Sequence, residues 1–251
     1  MTAEPEPTRG AEPGPLLLRE LVRTSARVYR RRFKAVAGTA AVIFAVVAMV
    51  DALVDTLLDF PDRSTVVSLL FLAATSVSAL GSTFYAGLID EVVGGELDDR
   101  PTPRFRYVVR DLPWLRLLVA DFVISVIVLV TGAGFVVVGL VAFTFVCLVG
   151  PIINIERHSP WHAFRRSTRL VAPHFALTLV FITMPVLVEH AIVHALQAQV
   201  GLDAWVELVG LHAVLGIAIG SVVGLNETVL AYALIIRDHV RTSATRGSPA
   251  P

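Results

Sequence analysis

The sequence predicts an all-α, polytopic integral membrane protein. Six transmembrane helices form three hairpins, and a cytoplasmic basic amphipathic helix precedes each hairpin. Three observations lead there. Of 251 residues, 55% are hydrophobic and 17% charged, against roughly 45–50% and 25% in soluble domains, and the mean hydropathy is +0.72. The apolar residues collect into runs near the about 20 residues that a helix needs to cross about 30 Å of hydrocarbon. The basic residues, in contrast, gather on one side of those runs.

The elements follow in chain order. The segment 1–15 is Pro-rich and polar and is expected to be a disordered tail, because it has too little apolar surface to fold. The stretch 16–33 places Leu17, Leu21 and Val28 on one helical face and Arg19, Arg23, Arg27 and Arg30 on another. It feeds the first span, 35–58, and the second span is 65–89. The segment 91–103, with its Gly-Gly and acidic pairs, reads as a flexible connector. A second basic stretch, 103–114, then leads into spans at 114–131 and 134–155, joined through the glycines of 131–134.

The third basic segment, 159–171, is the clearest. Ser159 suits an N-cap and Pro160 the first helical position. Trp161, Phe164, Thr168 and Val171 are expected to face the membrane, with His162, Arg165, Arg166 and Arg169 opposite, the arginines toward anionic headgroups. Pro173 should end this helix before the fifth span, 174–197. The sixth span is 215–236, although the apolar stretch 204–236 is about ten residues too long for one crossing and should tilt or begin on the outer surface. The membrane domain is thus bounded at 16–237, with a second disordered tail at 238–251.

Orientation follows from charge. With six crossings, every basic residue except Arg63 falls on one side, which the positive-inside rule makes cytoplasmic. The opposite side is acidic, with Asp55, Asp59, Asp62, Asp203 and Glu207. Lys34 is the lone lysine, a bias that suggests a GC-rich bacterial genome and hence a bacterial plasma membrane. Cys147 has no partner for an internal disulfide.

Between 151 and 175 the chain resembles the membrane domain of glycerophosphoryl diester phosphodiesterases and related uncharacterised bacterial six-helix membrane proteins. The matching positions are Pro151, Ile152, Ile153, Glu156, Ala163, Arg166, Ser167 and Leu170. The resemblance implies the membrane part only. The His-Arg-Gly motif of the family's catalytic barrel is missing from these 251 residues, so phosphodiesterase chemistry is not expected of them.

Polar residues within spans are the other functional candidates, because a charge in lipid costs about 2.5–3.5 kcal/mol or more. Glu227 falls about 13 Å, and Asp121 about 10 Å, from the inner surface at 1.5 Å per residue. In the fifth span, which Pro185 should kink, His190 and His194 share a face beside Glu189. That i, i+4 spacing can ligate zinc, with His212, Asp51 or Asp55 as further donors, yet the expectation is a polar outer rim without metal. Gly216, Gly220 and Gly224 recur at fourfold spacing, as do Ala74, Ser78, Ser82 and Ala86, and both ridges should let helices pack closely within the chain.

The leading functional expectation is a non-enzymatic membrane scaffold or lipid-associated helper that engages anionic phospholipids, with Arg165, Arg166 and Arg169 as headgroup ligands. The alternatives are a transporter or flippase-like protein with a polar path around Glu227 and Asp121, and, third, an intramembrane metal-dependent enzyme. No cofactor and no nucleic acid is expected, and a protein partner within the membrane is compatible with the pattern. Composition and spacing identify neither a substrate nor an oligomeric state.

Overall fold

The computed structural model describes residues 16–58, 81, 84–97, 105–132, 136–200 and 205–246, and among them every regular element is helical. The tail 1–15, most of the second span, the connector from 98 to 104, the turn residues 133–135, Asp203 and the last residues from 247 lie outside the described residues. So do the side chains of Asp51, Asp55, His190 and His194.

Among the described residues, four helical stretches are long and apolar enough to cross a bilayer: Phe33–Val50, Val137–Glu156, Pro160–Glu189 and Val209–Ser243. They mark the chain as a membrane protein. The first helix, α1 (Leu18–Arg31), is amphipathic, burying Leu21, Ser25 and Val28. Next come α2 (Phe33–Leu58) and α3 (84–97). Helix α3 runs through the expected flexible connector as far as residue 97 and buries Val92 and Val93. Gly94 serves close packing instead, since a Cβ there would stand 2.5 Å from the Tyr232 hydroxyl.

A short α4 (Phe105–Asp111) precedes α5 (Trp114–Gly132). Then α6 (Val136–Val146) and α7 (Val149–Glu156) meet at a turn over Cys147 and Leu148. Helix α7 ends at Arg157, whose φ of 56° is left-handed, a rare conformation for a residue with a Cβ. Two hydrogen bonds hold that corner: Arg116 Nη1 donates to the Arg157 carbonyl at 2.7 Å, and Arg157 Nη1 donates to the Asp111 carbonyl at 2.7 Å.

From Pro160 the chain is helical to Val200. Helix α8 (Pro160–Val171) ends as expected before Pro173, which sits in a single 3-10 turn, Ala172–His174. After α9 (Phe175–Thr178) comes a π-helical segment, Leu179–Thr183, and then α10 (Met184–Val200). Pro185 accounts for the irregularity, because it has no N–H to give the carbonyl of Phe181 four residues back. The side chain of Asn226 supplies a replacement, its Nδ2 donating to the Phe181 carbonyl at 3.1 Å.

The last path comprises α11 (Trp205–Leu215), a π-helical segment at Gly216–Gly220, and α12 (Ser221–Arg246). The overlong apolar stretch is therefore one helical path that continues past residue 237, so most of the expected C-terminal tail is helix. The glycine ridge packs inside the chain, as expected. Gly216 and Gly220 receive the ring of Phe44, and Gly224 receives that of Tyr85. Helix α2 lies against α11 and α12, α5 against α6, α7 against α8, and α1 against α12.

Candidate functional site: a carboxylate chamber

Helices α3, α5, α6, α7 and α12 line a half-open cavity of about 170 Å³. Asp121 of α5 and Glu227 of α12 both line it, together with Ala86, Phe143, Cys147 and Pro151. The two carboxyl residues singled out from sequence thus meet in one chamber. The helical periods explain the placement: Leu117, Ala120 and Asp121 share the inward face of α5, and Glu227 follows Val223 on α12 by one turn.

A third carboxylate adjoins it. Asp90 of α3 is only 3% exposed. Thr228 Oγ1 donates to Asp90 Oδ1 at 2.6 Å, and Asn154 Nδ2 donates to Oδ2 at 2.6 Å. One side chain therefore joins α3, α7 and α12. Sequence reading missed Asp90 because it follows the apolar run by a single position and was counted with the loop. The signal that could have found it was the helical period, which continues through Val92 and Val93. Among the described residues, none of the three carboxylates has a basic partner. Hydroxyls fill other polar positions: Thr144 and Thr183 share a hydrogen bond of 2.8 Å, and Ser167 Oγ donates to the Phe145 carbonyl at 2.6 Å.

Beyond the chamber a layer of ion pairs closes the helix ends. Arg31 and Arg32 each donate to Glu96 at 2.8 Å. Together they hold the Glu96 carboxyl below its usual range. Arg166 bridges Glu156, at 3.2 Å, and Asp238, and only 12% of its side chain is exposed. It does not stand in a common surface stripe with Arg165 and Arg169, both of which are exposed.

Of the α8 residues expected to face the membrane, Val171 is instead buried within the protein, Phe164 is half-buried, and Trp161 and Thr168 point outward. Ala163, Ser167, Leu170 and Val171 are buried, whereas Trp161 is 71% exposed and Thr168 is exposed too. Small residues win the inward face because they let α8 approach α6 and α7 closely, leaving the indole outside beside Arg165 and Arg169. Ser159 occupies the N-cap position without a side-chain cap bond. The residues of the 151–175 signature form this junction: Pro151, Ile152, Ile153 and Ala163 are buried, Glu156 pairs with Arg166, and Ser167 bonds α6.

The outer polar group is only partly in view. Glu189 of α10 and His212 of α11 are half-buried, and the imidazoles of His190 and His194 lie outside the described residues. No group of three His, Cys, Asp or Glu side chains that could hold a metal ion occurs among the described residues. No family model, curated protein or solved structure matches the chain.

Proposed function

We propose that the chain is a non-enzymatic, multi-pass transporter of the bacterial plasma membrane that passes protons through the Asp121–Glu227 chamber. It has six crossings in three hairpins and cytoplasmic termini. The observation that carries this reading is the convergence of two carboxyl residues from separate helices on one cavity, with Asp90 alongside. Unpaired charge inside a membrane is costly. Asp90 uses its carboxylate to join helices, but among the described residues Asp121 and Glu227 make no such bond, so the pair is more than a lock requires. The chamber's size supports the choice of cargo. At about 30 Å³ per water its 170 Å³ holds roughly six molecules, well short of the roughly 300–1,000 Å³ typical of sites for larger solutes.

The experiment is proton flux into vesicles that contain the purified protein and a trapped pH-sensitive dye, driven by a potassium diffusion potential. The wild-type chain should acidify the lumen faster than protein-free vesicles do, and Glu227→Gln or Asp121→Asn should each abolish the difference. A wild-type rate equal to that of empty vesicles overturns the reading and leaves the carboxylates as packing elements.

The second reading is a lipid-associated scaffold. It is favoured by the outward face of α8, where Trp161, Arg165 and Arg169 stand together as an indole and two guanidiniums do at a headgroup boundary.

A further inference from the structure

A larger cavity, about 570 Å³, runs between α1, the Leu179–Pro185 region and α12. Its walls are almost wholly apolar, including Val22 and Tyr29 of α1, Phe181, and Leu225 of α12. Two features separate it from an ordinary packing gap. Ser25 lines the groove at 6% exposure, and its hydroxyl has no hydrogen-bond partner. Arg30 lines the same groove and also belongs to an adjoining surface with Arg23, Arg27 and Arg31. An apolar slot with an unpartnered hydroxyl inside and a cationic rim complements a molecule with a long apolar chain and an anionic head.

We propose that this groove binds one acyl chain of an anionic phospholipid, with its phosphate on Arg23, Arg27 and Arg30. The occupant follows from the charge and from the setting. The walls from α12 and the 179–185 region belong to helices apolar enough to span a membrane, whereas α1 is a basic amphipathic helix of the kind that lies at the headgroup boundary. The groove therefore joins the acyl layer to the phosphate layer. The chamber reading is not needed for this site, which shares no lining residue with the 170 Å³ cavity.

The test is native mass spectrometry of the delipidated full chain, reloaded with dioleoyl phosphatidylglycerol or dioleoyl phosphatidylcholine. The wild-type chain should retain one phosphatidylglycerol at concentrations where phosphatidylcholine is lost. The exposed triple variant Arg23→Gln/Arg27→Gln/Arg30→Gln should weaken that retention by roughly fivefold for each cation removed. Ala26→Trp, which fills the groove from an exposed position, should displace the lipid with the charges intact. Three results would overturn the proposal: equal retention of the two lipids by the wild type, unchanged retention in Ala26→Trp, or a lipid-free dimer that Ala26→Trp dissociates. If Ala26→Trp does not fold, the arginine variant decides the matter alone, and unchanged phosphatidylglycerol retention in it rejects the site.

Discussion

At the scale of single residues, one amide carries an unusual share of the fold. Pro185 leaves the Phe181 carbonyl without its α-helical donor, and Asn226 provides one from another helix. Removing that donor from a buried site should cost about 1–3 kcal/mol. Asn226→Leu is therefore expected to lower the unfolding temperature in detergent, and Pro185→Ala, which restores the N–H, should recover part of the loss. The double-mutant cycle measures the coupling, and additive effects would show that Asn226 acts elsewhere. Neither partner is readable from sequence alone. Pro185 announces an irregular helix, but nothing in its neighbourhood says that position 226 will answer it. Glu227 and Asp121 were legible because charge is rare in apolar runs. Asp90 was passed over because it lies one position beyond the apolar run, although the helical period continues past it through Val92 and Val93.

At the scale of elements, sequence period correctly gave α1, α2, α5 and α8, whose apolar runs and flanking prolines are strong local signals. For α8 it placed Val171 with the membrane-facing residues, whereas Val171 packs inward with Ala163, Ser167 and Leu170. Ala163 and Ser167 take the inward face because their small side chains allow close contact with α6 and α7, which leaves Trp161 on the outer face. The same preference turned the Gly94–Gly95 pair into helix. The pairing of α1 with α3 gives a pH dependence. Glu96 is bonded as a carboxylate, and its pKa in the folded chain lies below the ordinary value. The ion pairs therefore contribute fully above the unfolded carboxyl's range, and the contribution is lost as pH falls through the lowered folded value. Unfolding temperature measured against pH should decline on the acid side for the wild type. Glu96→Gln should start lower at neutral pH and lose part of that decline, whereas parallel curves would show that other acids account for it.

At the scale of the whole molecule, the proposed topology rests on the segregation of basic residues and can be tested without function. Cys147 is buried and is the lone cysteine, so introduced cysteines can be read against a quiet background. A cysteine at Asp203 should react with a membrane-impermeant reagent in intact cells, and one at Ser248 should react only after the membrane is opened. Labelling of Ser248→Cys in intact cells would reverse or break the six-crossing plan. The charge pattern was legible at this scale because it depends on where residues fall relative to the bilayer, not on which helices touch. The chamber depends on touch, and so it emerges only from the assembled bundle.

The three-way junction at Asp90 bears on how such a chain is made. Ribosomal synthesis delivers α3 long before α12, yet the hydroxyl that bonds Asp90 belongs to Thr228, and one of the acids that hold Arg166 is Asp238. Until α12 enters the membrane, an aspartate in the nascent bundle lacks one of its two partners and an arginine lacks one of its two acids. Synthesis of α12 and closure of this polar interior are then a single event. A chain truncated ahead of α12 would carry open polar groups into the lipid, the kind of defect by which membrane quality control distinguishes unfinished products from finished ones.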